Sequence, residues 1–131
     1  MSGHAMRAVD TNVLVRLLTR DEPKQAAVAD AFVQPGAWVS VLALAEATWV
    51  LSAVYDRDAA DVARAVEMLL DHQCLTLQEP EAVAAALETL RQRPALGFSD
   101  CLLVELARKA GHLPLGTFDR GLSRLDGATR L

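Results

Sequence analysis

The chain has 131 residues, is 52% apolar and carries a formal charge of −4. That composition excludes a disordered polypeptide, and the length fits one domain. The charge provides no global positive field of the kind that draws proteins to nucleic acid, yet a carboxylate-rich metal site lowers net charge by itself, so a nucleic-acid enzyme is not excluded. Of the 13 cations, 11 are Arg and 2 are Lys. Arg suits bidentate phosphate contacts better than Lys, although a high-GC coding bias accounts for the excess equally well. Cys74 and Cys101 stand in no CxxC pair, and no His or Cys falls at zinc-finger spacing. The two thiols therefore read as core residues of a reduced, cytoplasmic protein rather than metal ligands. No signal peptide is visible, and no apolar run reaches the roughly 18 residues that a membrane span needs. Residues 1–5 read as an expression remnant ahead of a native Met6, which removes His4 from consideration. The domain is then expected over 6–131.

In chain order, Met6 to Val9 reads as a short buried strand. Asn12 to Leu18 follows as a helix with Val13, Leu14, Leu17 and Leu18 on its apolar face. Asp21 is expected to cap a second helix with Pro23 in its first turn, and Pro35 and Gly36 end it. The segment AWVS is a strand, and Ser40 caps the helix VLALAEATWVLSAVY. Arg57 and Asp58 start a further helix with Val62, Ala65, Val66, Leu69 and Leu70 at helical spacing. CLTLQ is a strand. Pro80 opens a helix that Pro94 and Gly97 end. Ser99 is expected to cap DCLLVELARKAG, which Gly111 closes. LPLGTF is a strand, DRGLSRL a short helical turn and ATRL a last edge strand. Strands alternating with helices of ten or more residues predict a three-layer α/β/α domain, with a central, mainly parallel sheet of four to five short strands.

In such sheets ligands bind beyond the carboxyl ends of the strands. Asp10 ends the first strand, Thr117 and Asp119 end LPLGTF, and Asp100 opens a helix directly after the LGFS turn. Glu46 instead interrupts an otherwise apolar helix. Each acid has a plain alternative taken alone: a helix cap for Asp10 or Asp100, a turn residue for Asp119, a solvated position for Glu46. Together they are harder to dismiss. Two carboxylates about 4 Å apart repel by roughly 4 kcal/mol at an effective dielectric near 20, so a cluster of four requires a cation. Oxygen-only ligands select a hard ion, Mg²⁺ or Mn²⁺. Thr11, Ser99 and Thr117 are placed to orient the carboxylates or a bound water. That chemistry suits phosphodiester hydrolysis. Arg16, Arg20, Arg120 and Arg124 adjoin the expected site and are candidate phosphate contacts, with ordinary solvated charge as the plainer reading of each.

The segments AVDTNVLVRLL, SVLALAEATWVL, LGFSDCLLVELARKAG and LGTFDRGLSRLDG, in this order and spacing, resemble the PIN-domain ribonucleases, and especially the VapC toxins of bacterial toxin–antitoxin pairs. The resemblance runs over nearly the whole chain from Met6. It implies that Asp10, Glu46, Asp100 and Asp119 hold one or two Mg²⁺ or Mn²⁺ ions and activate water to cut single-stranded RNA. It places Thr11 after the first Asp, Thr117 in the family's T-x-D segment, and Asn12 where a residue often supports the first Asp by hydrogen bonding. Some relatives carry an extra acid near Asp100 or Asp119; the neighbours here are Phe98, Ser99 and Cys101. The resemblance also implies a homodimer and a VapB-like antitoxin lying across a groove, for which the helix pair over residues 42–71 offers a wall. Trp49 and Tyr55 lie near it, with core packing as their plainer reading. His72 and His112 each follow a helix end, where a cation-capable side chain favours the dipole rather than catalysis.

Two further enzyme classes share part of this pattern. A housekeeping PIN nuclease without an antitoxin would share the same site. A phosphatase or receiver-like domain would use the Asp after the first strand, but the haloacid-dehalogenase pattern requires a second Asp where Asn12 stands, and a receiver requires adjacent acids that do not precede Asp10. The non-enzymatic reading, a binding module whose acids are only caps, predicts no metal dependence.

Overall fold

A computed structural model describes residues 6–131; the expected remnant at 1–5, His4 included, lies outside the described residues. The chain runs β1 (Arg7–Ala8), α1 (Thr11–Thr19), α2 (Pro23–Val33), β2 (Ala37–Val39), α3 (Val41–Ala53), α4 (Ala59–Asp71), β3 (Leu75–Leu77), α5 (Pro80–Gln92), α6 (Phe98–Ala110), β4 (Leu115–Thr117), a 3₁₀ turn (Leu122–Arg124) and β5 (Ala128–Arg130). This is the expected α/β architecture, with every strand pairing parallel.

The five strands form two ladders rather than one continuous sheet. The first has the order β1-β2-β3, and the second joins β4 to β5. In the first ladder Ala37 sits opposite Leu75, and Val39 opposite Leu77. These residues, with Val9, point into the main core. The alternate residues, Ala8, Trp38 and Thr76, are exposed, as the period-2 pleat requires when one face is the buried one. The second ladder rests on its own small cluster of Val104, Leu122 and Leu125.

Local chemistry accounts for most helix boundaries. Asp10 caps α1 by accepting the Val13 N–H, and Ser40 caps α3 by accepting that of Ala43. Asp58 and Asp61 form a reciprocal capping box at α4, as the pattern of an N-cap acid with an acceptor three residues on allows. Gly111 closes α6 with φ +83°, in the left-handed region that glycine enters without steric penalty. Two expected caps are corrected. Residue Glu22, not Asp21, occupies the N-cap of α2, because the Asp21 carboxylate is engaged by Arg16, Thr19 and Tyr55. The N-cap of α6 is Gly97, and Ser99 lies inside the first turn with an exposed side chain.

Helix α3 is apolar nearly all round, yet it is not a fully buried helix. Ala43, Leu44, Ala47, Thr48 and Leu51 face the core, while Leu42 and Trp49 stay exposed. The expectation of core packing for Trp49 therefore fails, since its side chain is 65% exposed. Tyr55 is half-buried and packs against the core edge. Helix α6 lies against α5 and also touches α3. Cys101 is buried and Cys74 half-buried, and both thiols are free; burial pushes the Cys101 thiol up to about 11.

Candidate active site

Asp10 is presented by the β1–α1 junction. Its Oδ1 is taken by the Val13 N–H at 3.1 Å, so the cap fixes the carboxylate and leaves Oδ2 without a protein partner among the described residues. Next to it the Thr11 hydroxyl donates to Glu46 Oε2 at 3.1 Å. This bond ties the start of α1 to the middle of α3. Glu46 is exposed, but it is a held residue rather than a freely solvated one.

Asp119 is fixed in a similar way. Thr117 Oγ1 accepts the Asp119 N–H at 3.0 Å, and Asp119 Oδ1 accepts the Leu122 N–H at 2.8 Å. The turn after β4 thus orients the acid and starts the 3₁₀ turn. Asp100, in the first turn of α6, is half-buried. Partial burial first, and the negative charge of Asp119 second, push its carboxyl above its ordinary value. Asp100 and Asp119 are therefore near enough to feel one another, although they lie on separate elements.

Charge pairing leaves these acids among the eight of 17 that have no cation within the described residues, a state they share with Glu22, Asp56, Asp58 and Asp71. Nine of the chain's 17 acids take part in ion pairs. Among the described residues, none of Asp10, Glu46, Asp100 and Asp119 does. Nor are three carboxylates drawn into a preformed ligand cluster among the described residues. The four come from four separate segments, and their mutual repulsion gives the chain itself no reason to pull them closer. The donor set is all oxygen and lacks a protein cation, which fits a hard divalent ion and does not fit zinc or a soft metal.

The neighbours sort into groups. Thr11 and Thr117 are placed to orient carboxylates. Asn12 is exposed and lines a groove, and the hydrogen bond to Asp10 comes from the backbone of Val13 instead. Ser99, exposed one position before Asp100, makes no capping bond. Arg16 is bound to Asp21, and Arg20 to Asp30, so both candidate phosphate contacts are committed to the fold. Arg120 and Arg124 are in no ion pair among the described residues. Asp126 is drawn away by Arg108. His72 accepts the Cys74 N–H through Nδ1 at the end of α4, a structural role.

A groove of about 650 Å³ runs from Asp10 between α1 and α2, with Ala8, Val13, Val28 and Phe32 along it. This is not the α3–α4 wall expected over 42–71. The signal that pointed to it was present in α2, whose apolar residues fall on two sides: Ala26, Ala29 and Val33 are buried, while Val28 is 70% exposed.

The fold is a parallel α/β domain with Asp10 and Asp119 just beyond the carboxyl ends of strands. A family model for the PIN domain matches residues 7–128, and the chain belongs to the PIN-domain family, whose members are generally nucleases that bind RNA. No curated protein matches the chain.

Proposed function

We propose that the chain is a metal-dependent endoribonuclease that cuts single-stranded regions of RNA, acting as the VapC-type toxin of a toxin–antitoxin pair. The observation that carries this reading is that two pairs of acids without a cation are held in place by the fold: Asp10 is fixed by the Val13 N–H and Glu46 by the hydroxyl of Thr11, the residue next to Asp10, and Asp100 lies close enough to Asp119 to feel its charge. Acids that serve only as caps or solvated charges give no reason for Asp100 to stand partly buried beside a second carboxylate. Support for the toxin role is the apolar groove opening at Asp10, which suits an amphipathic antitoxin segment laid across the site. The protein is then a single-domain cytoplasmic homodimer silenced by a VapB-like antitoxin. A housekeeping PIN nuclease would use the same acids without that partner.

In this mechanism Asp10, Glu46, Asp100 and Asp119 would hold one or two Mg²⁺ or Mn²⁺ ions. The bound ion supplies an activated water and offsets charge on the phosphate. The protein supplies position. Asp10 and Asp119 each spend one carboxylate oxygen on a backbone N–H and keep the other for the site. Thr11 holds Glu46 at the required orientation. Asp100, partly desolvated beside Asp119, carries a charge that strongly favours a nearby cation.

The test is cleavage of single-stranded RNA with Mg²⁺ or Mn²⁺, with EDTA, and with Asp100→Asn. Cleavage should be lost with EDTA and fall by at least about 10²-fold in the variant, as expected when several kcal/mol of transition-state stabilisation is removed. Cleavage indifferent to both would sink the reading.

A further inference from the structure

Phe118 is 80% exposed, the most exposed large apolar side chain among the described residues. It sits between Thr117 and Asp119, the two residues whose mutual hydrogen bond shapes the turn after β4. Burying an aromatic ring is strongly favourable, so a ring left in water asks for a reason. Backbone looseness is not that reason. The Thr117 carbonyl accepts the Leu131 N–H at 2.9 Å, its hydroxyl accepts the Asp119 N–H, and the Asp119 carboxylate accepts the Leu122 N–H. Residues on both sides of the ring are anchored, and the ring is held outward.

Arginines close to it along the chain and across the ladder are uncommitted. Arg16, Arg20, Arg64, Arg91 and Arg108 are all in ion pairs. Six arginines are in none among the described residues: Arg7, Arg57 and Arg93, and then Arg120, Arg124 and Arg130, the last three arginines of the chain. Arg120 follows Asp119 directly, yet does not pair with it. Thr117 stands opposite Arg130 in the β4–β5 ladder. An outward ring, an acid of the site and unpaired guanidinium groups therefore share one short segment.

We infer that Phe118 is a stacking platform for one base of single-stranded RNA beside the bond to be cut, with Arg120 and Arg124 meeting the flanking phosphates. Every base offers a π-face, so such a contact holds an unpaired nucleotide without reading its sequence. A base in a duplex has both faces covered and cannot use the ring, which gives the site a physical preference for single strands. The charge complementarity favours a polyanion over an apolar protein partner. The inference rests on the nuclease reading above.

The test is steady-state cleavage of single-stranded oligoribonucleotides by the wild type and by Phe118→Ala, Phe118→Leu and Phe118→Trp, each checked by size-exclusion chromatography. The ring is exposed, so all three variants should fold. Phe118→Ala should raise KM about 5- to 150-fold, the range that loss of one stacked base spans, with the change in KM rather than kcat. Phe118→Trp should restore the low KM and Phe118→Leu should not, because leucine is apolar but presents no ring face. An abasic site at one position near the cut should weaken the wild type as much as Phe118→Ala does, and should cost that variant nothing more. Several results would overturn the proposal while leaving the nuclease reading intact: an unchanged KM in Phe118→Ala, full rescue by leucine, or an altered oligomeric state without a KM effect, which would assign the ring to a protein contact. If the wild type cuts no RNA with either metal, the nuclease reading fails and the stacking platform falls with it.

Discussion

The two ends of α1 carry the same residue types and treat them in opposite ways. At the C-terminal end, Arg16 donates to Asp21 at 3.0 Å and to Gln25 at 2.6 Å, and Tyr55 donates to the second oxygen of Asp21 at 3.0 Å. The hydroxyl of Thr19, then Tyr55 and Arg16, hold the Asp21 carboxyl below its ordinary value. Arg20 occupies the left-handed region at φ 53°, where a Cβ is strained, and its guanidinium is held by both oxygens of Asp30. Each acid there has a cation. At the N-terminal end, Asp10 has a backbone N–H and Glu46 has a threonine hydroxyl, and neither has a cation. The first arrangement braces the elbow between α1, α2 and α3. The second leaves negative charge unspent, and unspent charge at a strand end is what a metal site needs.

The contrast is open to attack at both ends. The largest effect is expected at Asp10. Asp10→Asn should abolish most RNA cleavage, a loss of at least about 10²-fold, while urea unfolding stays near that of the wild type, because Asn caps a helix as well as Asp does. Asp10→Ala should lose the same activity and also about 1 kcal/mol of stability. If Asp10→Asn keeps its activity, Asp10 is only a cap and the two ends of α1 do not differ in kind.

A smaller effect is expected at the elbow. Tyr55→Phe removes the hydroxyl that donates to Asp21 and accepts from Arg16. It should lower stability by about 1 kcal/mol and leave cleavage at saturating RNA unchanged. A drop in kcat with the fold intact would make the elbow part of the site.

The smallest effect concerns Asp100, whose carboxyl lies above its ordinary value in the folded chain. A raised folded value means that this group supports the fold below the ordinary aspartate range, and that the support is lost as pH rises through the folded value. Asp100→Asn should therefore stabilise the metal-free protein near pH 7, by less than about 1 kcal/mol once solvent screening is counted. The gain should shrink as the pH falls toward about 4. Thermal unfolding in EDTA across that range measures it, and equal Tm values at all pH would show that neither burial nor Asp119 burdens the Asp100 carboxylate.

Much of the fold was legible because its signals are local. The caps at Ser40 and Asp58, the glycine stop at Gly111 and the strands around Trp38 and Thr76 follow from residues within a turn of one another. The expected caps at Asp21 and Ser99 failed for different reasons: Asp21 is claimed by Arg16 and Thr19 from the end of α1 and by the distant Tyr55, and α6 begins one residue before Ser99. Trp49 sits in an apolar helix whose sequence shows no polar side to mark exposure, so only packing could place it in solvent. The four acids were recognisable as a set because Asp10, Asp100 and Asp119 stand at strand and helix ends and Glu46 interrupts an apolar helix. Their bonding partners were not.

The amino-acid sequence by itself determined the alternation of strands and helices and the presence of Asp10, Glu46, Asp100 and Asp119 at telling positions, since periodicity and capping act over a few residues. Tertiary structure alone decided which acids and arginines neutralise one another and which stay free, that the strands split into two ladders, that the groove opens between α1 and α2, and that Phe118 faces outward. Pairing and exposure depend on distances between segments tens of residues apart, such as Thr11 to Glu46, and no local pattern encodes them.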